Sequence, residues 1–168
     1  MSRVYSILIM VTIILGSEPD ERGYIVSVGD MAPDFTMEYT TGEKVTLSDL
    51  RDKIVILQFT ASWCSVCILE MPHLEKDVWQ AFKDKGVLLI GVDRDEPLET
   101  VINFQKKIGT TYPLALDPGA DIFGLFADKK SGVTRNVVID HSGKIVFLTR
   151  LFDEQEYKEM IQVIKKLI

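Results

Sequence analysis

Residues 53–59, KIVILQF, are apolar apart from Lys53 and Gln58, and largely β-branched. Such a run fits a strand buried on both faces, which demands a covering layer above and below the sheet. VLLIGVD, 87–93, repeats the pattern. Between them, Val66, Leu69, Leu74, Val78, Trp79 and Phe82 recur at roughly helical spacing until Gly86, which predicts a connecting helix. Pro72 lies inside it, removes a backbone donor and predicts a kink. PLETVINFQKKIG, 97–109, reads as a helix with Pro near its start and Gly at its end. YPLALD, 112–117, is a short extended piece, and GADIFGLFAD, 119–128, a short helix interrupted by Gly124.

The ends of the pattern are antiparallel. A hairpin is expected from 34–39 to 44–47 around TTGE, with Ser48 and Asp49 capping one helical turn. RNVVID, 135–140, and KIVFLTR, 144–150, are strands joined by the turn HSG. An amphipathic helix closes the chain, with Asp153 and Glu156 as a capping box. Strands joined by helices must run parallel and those joined by tight turns antiparallel. The expectation is an α/β fold: a mixed central sheet, helices on both faces and an N-terminal β-hairpin.

A chain of 168 residues suits one domain with a substantial core. Its formal net charge of -6 disfavours nucleic acid, which requires concentrated Lys and Arg. The nearest approach to a basic block, Lys129-Lys130, reads as a solvated loop.

The N-terminus differs in character. After Arg3 comes VYSILIMVTIILG, 4–16, apolar and uncharged, then polar SEPDERG. This reads as a secretory signal, too short for the ~20 residues of a bilayer span; a short membrane anchor is the alternative. The expected organisation is a leader or tether over 1–16, a linker over 17–28 and one domain over 29–168.

Both cysteines, Cys64 and Cys67, fall in FTASWCSVCILEMPHL, 59–74. A structural zinc site needs four ligands, and the two histidines, His73 and His141, lie in segments not expected to converge on the pair. A disulfide closing so short a loop restricts the unfolded chain little. Two inert thiols are disfavoured in an oxidising compartment. A redox pair explains more. Cys64 falls where a buried strand hands over to a helix, so unpaired amides and the positive end of the helix dipole favour its thiolate. Cys67, one turn later, is placed to attack a mixed disulfide and release product. Cys64 is thus the candidate nucleophile and Cys67 the resolving thiol; the exchange calls for no cofactor and no metal.

With Trp63, Cys64, Cys67, Glu70, Pro72 and Leu74 in place, the stretch resembles the TlpA/ResA-like thiol–disulfide oxidoreductases of the thioredoxin-like fold, whose pattern is Trp-Cys-x-Pro-Cys followed by Glu-x-Pro-x-Leu. The opening GDMAPDFTM is shared with the neighbouring peroxiredoxin-like (AhpC/TSA) domains, and the resemblance spans roughly 28–168. It implies a three-layer thioredoxin-like fold, disulfide exchange with protein substrates, export, and a membrane thiol carrier as electron donor.

The chain departs from that pattern. Val66 replaces the usual Pro between the cysteines, so a relative's redox potential cannot be borrowed. The family's cis-Pro facing the cysteines corresponds to Thr134, and a trans Val133–Thr134 bond is expected, because a cis bond before a non-proline costs about 2.5–4 kcal/mol. Trp63, Val133 and Thr134 are candidate substrate-binding residues. The resemblance places Glu96 at an acidic position near the active site, where a carboxylate relays protons or tunes the cysteines; a solvated charge is the plainer alternative. Arg135 either stabilises a thiolate or sits in solvent, Glu70 caps or hydrogen-bonds near the kink, and His73 lies on the surface.

Two other functions compete. A thiol peroxidase of the AhpC/TSA type requires Pro-x-x-x-Thr-x-x-Cys, and here Leu57 and Ala61 stand at the Pro and Thr positions. A redox-inactive binding module tethered at the membrane is the other alternative. The working direction expected is reduction of substrate.

Overall fold

The structure, a computed structural model, describes residues 18–168. The expected leader or tether over 1–16 lies outside the described residues. Among the described residues seven strands form one sheet: β1 (Thr36–Tyr39), β2 (Lys44–Thr46), β3 (Ile54–Thr60), β4 (Val87–Arg94), β5 (Leu114–Asp117), β6 (Arg135–Ile139) and β7 (Ile145–Leu148). Their spatial order is β2-β1-β5-β4-β3-β6-β7. β3, β4 and β5 are parallel, while β6 joins β3 and β7 joins β6 antiparallel. The mixed sheet and the hairpin are as the sequence predicts.

Three long helices, α1 (Ser65–Leu74), α2 (Leu98–Ile108) and α3 (Glu154–Leu167), share one face. Met71, Val101, Phe104, Tyr157, Met160 and Ile164 pack there on Ile54, Ile56, Leu89 and Val138. The opposite face, carrying Val55, Leu57, Phe59, Val92 and Val137, is closed by short helical turns and loops that bring Leu47, Phe123 and Phe126. The second covering layer is therefore helical only in 3-10 turns at Leu47–Leu50, Pro118–Ala120 and Phe123–Leu125. The latter two replace the single short helix expected over 119–128. Asp117 shapes this segment by accepting the Ile122 and Phe123 N–H groups at 2.7 and 2.9 Å.

α1 runs on through Pro72 as far as Leu74, and the irregularity comes after it. Immediately after α1 the chain widens into a π-helical turn, Glu75–Trp79, before a last turn at Gln80–Phe82. The capping box of α3 forms by half. Asp153 accepts the Glu156 N–H at 2.8 Å, but the Glu156 carboxylate turns away to the Arg150 N–H and to Arg22.

The expected linker is corrected. Tyr24 is buried and its hydroxyl donates to the Thr149 carbonyl at 2.6 Å; Ile25 N–H donates to the Phe126 carbonyl. Further on, Gly29 N–H donates to Ile145 O and Ile145 N–H to Asp30 O, so residues 29–31 run along the outer side of β7. Residues 20–31 form a strap built into the domain, because a buried aromatic ring and shared backbone hydrogen bonds hold it.

Candidate active site

β3 delivers its C-terminal end to α1 through Ala61–Trp63, and Cys64 becomes the N-cap of α1, with extended φ/ψ of −88° and 102°. Its sulfur accepts the Cys67 N–H at 3.2 Å, which satisfies one of the orphan amides of the first turn. Cys64 and Cys67 are joined as a disulfide with their Cα atoms 5.3 Å apart. Cys64 retains 8% of its surface and Cys67 none, so an incoming sulfur meets Cys64 first. Trp63, 63% exposed, stands beside it as a large apolar surface. A cleft of about 330 Å³ between α1 and α2 opens at Ser62, next to Trp63, and is lined by Ile68, Thr100, Asn103 and Lys107 among others.

The loop before β6 closes the other side. The Val133–Thr134 bond is trans, as expected from the absence of proline. Thr134 Oγ1 lies 3.1 Å from the Cys64 sulfur and 3.3 Å from that of Cys67. A disulfide sulfur carries no proton, so the hydroxyl is the donor to either. Val133 is placed differently from the expectation: its side chain is buried in the core, leaving only backbone to face a substrate.

Beneath α1 lies a polar layer. On β3, β4 and β6 the helix-facing positions near the active-site end are Gln58, Asp93 and Asn136, all buried. Glu70, one turn beyond Cys67 on the buried side of α1, accepts Asn136 Nδ2 at 2.7 Å and Gln58 Nε2 at 3.4 Å. Tyr112 donates to Gln58 Oε1 at 2.7 Å and Asn136 Nδ2 also reaches Thr149 Oγ1. Gly91 makes room for this arrangement, since a Cβ there would meet Leu114 at 2.3 Å and Tyr112 at 3.3 Å. Burial raises the Glu70 carboxyl to about 7, against the lowering effect of its two amide partners. The sequence reading gave Glu70 only a hydrogen-bonding role. Its spacing of three from Cys67, which puts both on one helix face, was the signal for more.

Glu96 is brought to the site, though not as a free relay. Both carboxylate oxygens are engaged by Ser62, one by its N–H and one by its hydroxyl, each at 2.6 Å. It anchors the loop that precedes the cysteines. Arg135 meets neither of its expectations. It is fully buried, stacked on Tyr24 and Phe123 with its guanidinium carbon 4.5 and 5.1 Å from their centroids, and donates to Ser131 Oγ and Gly132 O. Burial lowers it to about 10. Its residue alternates with Asn136 along β6, so its side chain leaves the sheet on the face away from Glu70. His73 is exposed and packs on Phe152, with ring centroids 5.0 Å apart.

Comparison with known proteins agrees with this geometry. Residues 28–148 match the AhpC/TSA family. The chain is 33% identical to the thiol-disulfide oxidoreductase ResA of Bacillus subtilis (strain 168) over 141 residues, covering 83% of this chain and 77% of that protein. It is 32% identical to the protein of the same name from Bacillus thuringiensis (strain Al Hakam), over 84% of this chain and 79% of that one. A solution structure from Bacteroides thetaiotaomicron, described as a candidate protein disulfide isomerase, superimposes with a TM-score of 0.84 and 58% identity, covering 86% of this chain and 92% of the other. A thioredoxin-like sheet, a Cys-x-x-Cys pair capping α1 and these relatives together define the chain: it belongs to the AhpC/TSA family and is a ResA-like thiol–disulfide oxidoreductase.

Proposed function

We propose that this chain is an exported reductant of protein disulfides, in which Cys64 attacks and Cys67 resolves. The observation that carries the assignment of roles is the position of Cys64. It is the helix N-cap, it receives an amide hydrogen bond on sulfur, and it retains surface that Cys67 lacks. In the reduced protein the Cys64 thiolate attacks one sulfur of a substrate disulfide, forming a mixed disulfide and expelling the other sulfur as thiolate. Cys67 then gives its proton to the Glu70 carboxylate and attacks the Cys64 sulfur. The Cys64–Cys67 disulfide forms, the second substrate sulfur leaves as thiolate, and the two expelled thiolates are protonated. Two electrons pass from the pair to the substrate. Glu70 suits the proton transfer because its affinity for a proton lies near neutrality. Thr134 donates to whichever sulfur is anionic, and Trp63 with the adjoining cleft at Ser62 offers substrate a surface beside Cys64.

Export is supported by the apolar run at 4–16 after Arg3; no helix among the described residues is long and apolar enough to cross a membrane. A chain working outside the cytoplasm would take its electrons from a membrane thiol carrier. The test is insulin reduction and peroxide consumption by the wild type and Cys64→Ser. Insulin turnover that the substitution abolishes supports the reading. Peroxide turnover instead would establish the peroxidase, and neither activity the binding module. The equilibrium of the Cys64–Cys67 couple with glutathione then decides direction: a pair that stays largely oxidised against a reducing glutathione buffer supports the reductant.

A further inference from the structure

One buried carboxyl takes no part in the exchange just described. Asp93 lies on the helix-facing side of β4, level with Thr60 of β3 and Leu116 of β5. It has no exposed surface, and no hydrogen-bond donor faces either of its oxygens. The ionisable groups that bear on it are the carboxylates of Glu96 and Asp117. Asp117 is committed to the Ile122 and Phe123 N–H groups. Arg94, next along the strand, is turned to the other face, where it stacks on Phe123 at 4.3 Å and donates to Ser131 O and Lys129 O.

A buried anion surrounded only by anions is costly, whereas a neutral carboxylic acid is a hydrogen-bond donor. Glu96 is the acceptor available to it. The Ser62 N–H and hydroxyl use one lone pair on each Glu96 oxygen, and each oxygen has another. Ser62 stands two residues before Cys64. Glu96 bears on Asp93 and holds Ser62, and Ser62 precedes Cys64 by two residues, so these residues follow one another from β4 to the reactive sulfur.

We propose that Asp93 is a positioning residue that donates its own carboxyl proton to the Glu96 carboxylate, so that Glu96 keeps its hold on Ser62 and the loop presents the Cys64 sulfur. Burial first, and then the Glu96 and Asp117 charges, raise Asp93 to about 8, so the proton is held at neutral pH. Above that pH the proton leaves, two carboxylates face one another, and the grip on Ser62 weakens. The inference rests on Cys64 being the attacking thiol only for its consequence in catalysis; the bond from Asp93 to Glu96 itself does not.

The oxidised protein gives the cleaner test, because its cysteines do not titrate. Between pH 6 and 9.5 the Ser62 amide resonance is expected to move with a midpoint near 8, and the Asp93 carboxyl carbon to titrate with the same midpoint. In Asp93→Asn, whose amide donates without ionising, the Ser62 step is expected to vanish. An Asp93 carbon titrating in the ordinary carboxylate range, or a Ser62 step that survives Asp93→Asn, would overturn the proposal. Should the variant fail to fold, the wild-type carbon titration still decides. In the reduced protein, alkylation of Cys64 should show a second inflection near pH 8 that Asp93→Asn lacks; a single ionisation in both would sever Asp93 from the sulfur. Failure of the exchange reading would show separately, as insulin reduction that survives Cys64→Ser.

Discussion

At the scale of single residues, Thr134 is the most informative departure from the family pattern. Where relatives of this kind carry proline, this chain carries a hydroxyl that reaches both sulfurs. A hydrogen bond to a charged group contributes about 1.5 kcal/mol, which corresponds to roughly tenfold in equilibrium. Thr134→Val is therefore expected to slow iodoacetamide alkylation of reduced Cys64 at pH 6 by about tenfold, measured against wild type by mass spectrometry. Glu70 supports a second prediction. Glu70→Gln keeps an acceptor for Asn136 but removes the proton acceptor one turn from Cys67. Release of the mixed disulfide should slow while its formation is spared, so a Cys64-linked adduct accumulates in the variant; equal rates of both steps in variant and wild type would contradict the role given to Glu70. The cysteines, Trp63 and the missing proline were legible from a few neighbouring letters. The polar layer was not. Gln58 and Asn136 come from strands distant in sequence, and only the register of β3 with β6 brings them together on Glu70.

Among elements, the strands were read well and the short helical pieces poorly, for a physical reason. IVILQFT is buried at every position of β3, and a run covered on both faces has no other stable home. The segment 118–126 is held by the Asp117 carboxylate capping it from outside and by Phe123 and Phe126 inserted into the core; tertiary contacts, which leave no periodic trace, decide its form. The strap at 20–31 was missed for the opposite reason. It has no apolar periodicity, and what holds it is one buried tyrosine together with backbone hydrogen bonds to Phe126 and Ile145. Replacing a buried aromatic by alanine costs about 3–5 kcal/mol. Tyr24→Ala should lower the unfolding free energy by about that amount in urea titration, and Tyr24→Phe by about 1 kcal/mol through the lost bond to Thr149.

For the whole molecule, two buried carboxyl groups make stability depend on pH in the neutral range, and Asp117, also raised by burial, acts in the same sense. Glu70 and Asp93 bind protons more tightly folded than unfolded, with burial the largest cause in each. The unfolded chain releases those protons first, so between about pH 4 and 8 it holds fewer protons than the native state, and these two groups make stability fall as pH rises. Their contribution is complete below about pH 4 and gone above about pH 8. Guanidinium unfolding of the oxidised protein at pH 5 and pH 8 is expected to show a lower midpoint at pH 8, with the difference narrowed in Asp93→Asn; a difference unchanged by that substitution would place its origin elsewhere. The strap has a further consequence at this scale. β7 is the last strand on its side of the sheet among the described residues, and residues 29–30 occupy the outward amide and carbonyl of Ile145 at its start. A chain cut back past Met31 would leave that margin bare, an unpaired edge that invites strand addition from a neighbour, and light scattering is expected to register more self-association than in the intact protein.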